Sequence, residues 1–258
     1  MQRVLHTVTF FVILAVLFVI FGCGHFFKTP EDHPYARQLL RQIEEINADL
    51  TSFKGIAHMT MNANKQTTSG RIAIASQLPD KIRVELLNPL GQPLTSLSGD
   101  GKKITLFIRS ENKIYHLRQS TNALERLIHI PIKIEELHQA ILGRVSFATN
   151  ESVQLENIED DMCILTIWKR WHGKVAELKV DRKTTQLLSL ETYSRQGNLL
   201  YHVQWSKWRS IGNYKIPYHI IIKSNDRQLT ISIDRFWPNA DMPPSTFNLC
   251  PSINGYFR

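Results

Sequence analysis

Lys81-Ile82-Arg83-Val84-Glu85-Leu86-Leu87-Asn88-Pro89-Leu90-Gly91-Gln92-Pro93-Leu94 alternates and then turns. Ile82, Val84 and Leu86 fall on one side, Lys81, Arg83 and Glu85 on the other, which is the period of a half-buried strand. Asn88-Pro89 opens a turn, Gly91 permits a positive φ, and Pro93 withholds a ladder donor. Beyond the turn, Leu94 to Gly99 and Lys102 to Arg109 read as two further strands, joined by the hairpin signal Asp100-Gly101. Short strands joined by tight turns make this antiparallel β-structure. Leu90 stands at the tip of the first turn, and two readings of it are open. It folds back onto the sheet, or it projects as a small apolar probe; a lone exposed Leu is common on protein surfaces.

Outward from this stretch the same grammar repeats. Ser52 to Met61 and Ser69 to Ser76 precede it, and Asn112 to Arg118 closes the first run of strands. Ser152 to Ile158, Met162 to Lys169, Lys174 to Asp181, Gln186 to Ser194, Leu199 to Arg209, Lys215 to Ser224 and Gln228 to Trp237 form a second run. Gly173, Gly197-Asn198, Gly212-Asn213 and Asn225-Asp226 mark its turns. Between the runs lies a helical interruption. Thr121 to His129 is helical in pattern, Pro131 breaks it, and Ile134 to Leu142 ends at Gly143, a natural C-cap. A further helix is predicted from Pro34 to about Leu50, with Leu39, Leu40, Ile43 and Ile46 on one stripe. Several strands carry apolar residues on both faces, as in Ile56, Ala57, Met59 and Met61, then Ile72, Ala73, Ile74 and Ala75. A filled sandwich core and a sheet with one face lining a cavity both fit that pattern.

The first 22 residues read as a secretion signal. Arg3 supplies the basic start, and the apolar run from Phe10 to Phe21 is shorter than the roughly 20 residues of a membrane span. It ends in Ile20-Phe21-Gly22-Cys23, close to a bacterial lipobox apart from Phe21, so Cys23 is the expected site of acylation; an uncleaved anchor helix, or a cleaved signal that leaves a free cysteine, is the alternative. Residues 23–33 then read as a lipidated tether, and 34–258 as one domain. Gly24 is not the aspartate that retains lipoproteins in the inner membrane of enteric bacteria, which leans toward the outer membrane. Cys163 and Cys250 remain as two thiols that an oxidising envelope allows to pair or to stay free. The formal charge is +8, but Lys and Arg are scattered singly along strands, with no basic stripe interleaved with aromatics. Nucleic acid is therefore not an expected partner.

The Asn88-Pro89-Leu90-Gly91 loop after a basic alternating strand resembles that of the outer-membrane lipoprotein receptor LolB family. The string from Ile130 to Gly143, which includes Pro131, Glu135, Glu136 and Leu142, is similar to the helix that precedes the second run of strands in that family. Tyr214-Lys215-Ile216-Pro217, followed by Ile220-Ile221-Ile222, also fits. The segment from Asp241 to Leu249 departs from LolB and is closer to the C-terminal part of the periplasmic carrier LolA. The resemblance implies a mainly β fold, a half-open antiparallel barrel with helices covering the opening. It implies an apolar cavity for acyl chains, for which Met59, Met61, Ile72, Ile74, Val84, Leu86 and Phe107 are the candidate lining. It implies that Leu90 protrudes and delivers lipoproteins into the membrane. The implied partners are acylated lipoprotein cargo, a periplasmic LolA-like carrier and the outer membrane, whose periplasmic face would hold the protein, as a monomer, through Cys23.

No catalytic constellation stands out: there is no Gly-x-Ser-x-Gly elbow, His-Glu-x-x-His pair or phosphate loop, and no metal or cofactor is expected. The histidines at 58, 116, 138, 172, 202 and 219 read as ordinary surface or core residues. Glu135-Glu136 and Glu159-Asp160-Asp161 read as solvated charges. Three other functions stay open on sequence alone: a binder of another acylated ligand or glycolipid, a structural envelope lipoprotein without cargo, and a hydrolase with a scattered site.

Overall fold

The computed structural model describes residues 30–63, 66–118, 123–159 and 161–249. Helix α1 (Pro34–Glu45) leads into six strands, β1 (Ser52–Ala63), β2 (Gln66–Gln77), β3 (Lys81–Leu87), β4 (Pro93–Asp100), β5 (Lys103–Ile108) and β6 (Lys113–Arg118). Two helices follow, α2 (Ala123–Ile128) and α3 (Ile134–Leu142). The chain then forms β7 (Ser152–Glu159), β8 (Met162–Lys169), β9 (Gly173–Asp181), β10 (Gln186–Tyr193), β11 (Leu199–Ile211), β12 (Tyr214–Ser224) and β13 (Arg227–Pro238).

All thirteen strands belong to one sheet, in the order β6-β5-β4-β3-β2-β1-β13-β12-β11-β10-β9-β8-β7. Each run is an up-and-down meander, and the two are joined where the last strand returns to the first. Met59 opposes Ile231, and Met61 opposes Leu229. The sheet is not closed. Its edges are β6 and β7, the two strands that flank the helical interruption.

Period-two alternation assigns the faces. Directly opposed residues share a face of an antiparallel sheet, so one row runs Leu86, Ile72, Ala57, Ile233 across four strands. Another runs Trp205, Ile220, Ile231, Met59. These belong to the inner face, which carries the main core. α3 lies across it: the indole N–H of Trp205 donates to the Ala140 carbonyl at 2.7 Å, and Ile134, Leu137, Ile141 and Leu142 are buried. The Glu136 carboxylate accepts from the Lys133 backbone N–H at 3.0 Å and caps the helix. Gly143 ends it at φ +62, where a Cβ would lie 2.4 Å from the Trp208 ring. That glycine is required both by its conformation and by the ring packed on it.

The first helix is shorter than its apolar stripe predicts, ending at Glu45 rather than near Leu50. Asn47 takes the left-handed conformation at φ 57, and its side chain is held on two other elements. Its Nδ2 donates to the carbonyls of Leu142 and Lys215, and its Oδ1 accepts from the Lys215 N–H. These bonds outbid one more turn of helix.

The chain beyond β13 crosses the outer face. Ser52 Oγ donates to the Ala240 carbonyl and Lys54 Nζ to that of Asp241. Farther along, Arg83 Nη1 donates to the Thr246 carbonyl at 2.9 Å, and Ser98 Oγ donates to that of Phe247. Phe247 is buried there, apart from the main core. The strap explains why Ser96 and Ser98, small polar residues on the outer face, are buried.

Candidate functional site

The Leu90 turn is built by its own side chains. Asn88 N–H donates to the Gln92 carbonyl at 2.9 Å, and Gly91 N–H to the Asn88 carbonyl at 2.9 Å. Asn88 Oδ1 accepts from the Gln92 N–H at 2.9 Å. Gly91 sits at φ +81, which a residue with a Cβ rarely adopts. These bonds hold the backbone while nothing covers Leu90, which is 84% exposed, the highest value among the exposed large apolar residues described. Of the two readings open on sequence, the loop takes the projecting one. Leu94, in the next strand, is also exposed.

The predicted cavity lining is divided by the register. Met59, Met61, Ile72, Ile74, Val84 and Leu86 share the inner face and pack in or against the core. Phe107 does not join them. It opposes Ser96 and Ile114 and so lies on the outer face; its inner-facing neighbours are Leu106 and Ile108. The mistake is one of parity, since a single-residue shift in a strand moves a side chain to the other face.

The inner face does carry a hollow, but under the other half of the sheet. A space of about 530 Å³ lies between α3, the loop at 144–147 and strands β8 to β11. Its apolar wall includes Phe147, Ala176, Leu190, Val203 and Trp205. Polar groups also line it: Glu136, Gln139, Arg144, Glu151, Lys169 and Tyr201. Burial, reinforced by the Glu136 carboxylate, pushes the Tyr201 phenol up, so that it stays a neutral hydroxyl. Lys169 Nζ lies 3.7 Å from the buried Glu151 carboxylate. None of the predicted lining residues borders this hollow. A separate hollow of about 590 Å³ lies on the outer face, between Trp237, Pro238 and Ala240 and the outer side of β1 to β3.

Cys163 is buried with a free thiol, its pKa raised by burial. Cys23 and Cys250, the expected anchor and the second thiol, lie outside the described residues. Among the described residues, no cluster of three His, Cys, Asp or Glu side chains could hold a metal ion, and no helix is long and apolar enough to cross a membrane.

This open antiparallel sheet has solved counterparts of like fold. A LolA superfamily protein from Nitrosomonas europaea aligns with a TM-score of 0.55 at 17% identity, over 83% of this chain and 97% of that one. A domain from Vibrio parahaemolyticus, assigned to outer membrane lipoprotein sorting, aligns with a TM-score of 0.57 at 12% identity, over 83% and 95%. A DUF1329 family protein from Desulfovibrio piger aligns with a TM-score of 0.60 at 9% identity, over 85% and 98%. At these identities the likeness is one of fold. The sequence model of the family described as outer membrane lipoprotein LolB matches residues 51–237. The chain belongs to that family. No curated protein matches the sequence significantly.

Proposed function

We propose that this protein is a lipid-anchored receptor of the outer membrane, which accepts lipoproteins from a periplasmic carrier and passes them into the bilayer. The observation that carries the reading is Leu90, held out toward water by a hydrogen-bonded turn in a member of the LolB family. The open sheet acts as a half-open barrel, with α2 and α3 across its opening. Acyl chains in water carry a penalty of about 0.8 kcal/mol per CH2. The hollow beneath α3 is the compartment that hides them, and the six inner-face residues from Met59 to Leu86 extend its apolar wall when the helices move. Cys23 supplies the acyl anchor, and no nucleotide is needed, because transfer runs toward better burial.

Leu90→Glu tests the reading. The side chain is 84% exposed, so the stability read from urea denaturation should stay within about 0.5 kcal/mol of the parent, while lipoproteins accumulate on the carrier instead of fractionating with the outer membrane. Normal fractionation in cells that hold only this variant would remove the assigned role. A second reading has its own support. The charged groups around the hollow, Glu136, Arg144, Glu151 and Lys169, suit a ligand with a polar headgroup, such as a glycolipid. Competition between an acylated lipoprotein and free glycolipid for the purified protein separates the two.

A further inference from the structure

The turns of this sheet alternate between two rims. Antiparallel pairing throughout puts the Leu90 turn on the same rim as the turns at 109–112, 170–172, 194–198 and 225–226. Two more exposed apolar side chains stand there, on the far side of the sheet from Leu90: Trp171, 48% exposed, and Leu199, 50% exposed. On the outer flank of Leu90, Leu94 and Ile114 are exposed as well. The charges on this rim are mainly positive. Arg109, Lys113, Lys169, Arg170, Arg195 and Arg227 outnumber Glu111, Glu151 and Asp226, which pair with Lys113, Lys169 and Arg227. The Arg170 guanidinium lies 5.2 Å from the Trp171 ring centroid, so a cation and an aromatic face are presented together. On the opposite rim, Asp80, Asp100, Asp161 and Asp181 are interleaved with Lys81, Lys102, Lys103, Arg182 and Lys183, so charges of both signs alternate there.

Two further observations point to the same rim. The inner hollow reaches it, since Lys169, His172, Tyr193 and Leu200 all border that space. The chain also enters the fold beside it: His33 N–H donates to the Val153 carbonyl at 2.9 Å, and Asp32 Oδ1 accepts from the Val153 N–H at 2.8 Å. Val153 is one residue into β7 from this rim. From Pro30 back to Cys23, extended chain spans about 24 Å, enough for an anchor on Cys23 to sit level with the rim.

We infer that this whole rim, rather than the Leu90 loop alone, is a docking edge for an anionic bilayer surface. Trp171 and Leu199 enter the headgroup region on one side of the sheet while Leu90 enters on the other. The cations between them hold the strand ends against the lipid phosphates. Trp is suited to that depth, with an apolar ring and a polar N–H. Each cation near an anionic leaflet contributes roughly fivefold in affinity. Docked in this way, the mouth of the hollow faces the bilayer, and a transferred chain does not cross open water. The inference rests on the bilayer-facing role proposed for Leu90, and it adds a second contact that role does not require.

The test uses the mature lipidated chain reconstituted in vesicles whose lipids carry bromine on the acyl chains. The Trp171 signal is the emission lost in Trp171→Phe. In vesicles of phosphatidylethanolamine and phosphatidylglycerol that signal should be quenched. The quenching should weaken severalfold in high salt, in phosphatidylcholine alone, and when Arg109→Glu and Arg195→Glu are combined. Leu90→Trp, made in the Trp171→Phe background, reports the other loop in the same assay. Quenching at position 90 without quenching of Trp171 overturns the docking edge and leaves the Leu90 role standing. Quenching at neither position removes both, and concentration-dependent dimers in sedimentation would then give the rim to a second copy of the chain.

Discussion

His138 shows how a residue can be essential to packing and silent in sequence. It lies on α3 with no exposed surface, and its Nδ1 is 3.0 Å from the Pro79 carbonyl. A carbonyl only accepts, so Nδ1 carries the proton; Nε2 is buried with no partner among the described residues. Burial drives the pKa down from 6.5 to about 4, against the opposing effect of the Pro79 bond. Between those values the unfolded chain binds a proton that the folded chain refuses. The stability contribution is therefore complete above about pH 6.5 and falls away as pH drops toward 4, by roughly 3 kcal/mol in total. Urea denaturation at pH 7 and pH 4.5 should show that loss. His138→Asn keeps a donor for Pro79 and should flatten the dependence, whatever it does to stability at pH 7. Leu90 is the opposite case. Asn88, Pro89 and Gly91 announce their turn chemistry locally, so its place at a turn tip is legible in the sequence, whereas nothing local marks a helical histidine as sealed.

At the scale of elements, periodicity carried most of the information. The strands β3, β4 and β8 follow directly from alternation and turn residues, because half-burial writes a period of two into the sequence. Three features were not written there. The end of α1 depends on Asn47 bonding to Leu142 and Lys215, partners 95 and 168 residues away. The face of Phe107 depends on the parity of β5, and apolar residues on both sides leave parity open. The position of the hollow depends on which half of the sheet α3 fills, a tertiary choice. Asn47 yields the sharpest expectation. Asn47→Ala removes three hydrogen bonds, leaves the Lys215 N–H without its acceptor, and places a Cβ residue less tolerant of φ 57 at the turn. A loss of about 2–4 kcal/mol follows, read as a lower urea midpoint with an unchanged slope. Asn47→Asp keeps the acceptor for Lys215 but aims a buried carboxylate oxygen at the Leu142 and Lys215 carbonyls, and it should cost more than Asn47→Ala.

Across the whole molecule, the proposed function puts stability and delivery on different surfaces. The sheet becomes continuous only when β13 returns to β1, and the first run of strands is held to the second by that seam, by the strap that follows it and by α3, which bonds to Pro79 on one side and to Trp205 on the other. Phe247 anchors the strap on the outer face beside Ser98, far along the sheet from β13. Phe247→Ala should cost about 3–5 kcal/mol, the range for emptying a buried aromatic site, and lower the melting temperature by several degrees. Leu90 lies at a rim, in water, with no such load. If the protein works as a rigid tray whose rim meets the bilayer, the two substitutions must dissociate. Phe247→Ala should melt early yet deliver lipoproteins normally at temperatures where it stays folded, and Leu90→Glu should melt like the parent and fail to deliver. The decisive measurement is lipoprotein fractionation for both variants at one temperature below both melts. Failure of delivery in the folded Phe247→Ala protein would place the strap, and not only the rim, in the working surface.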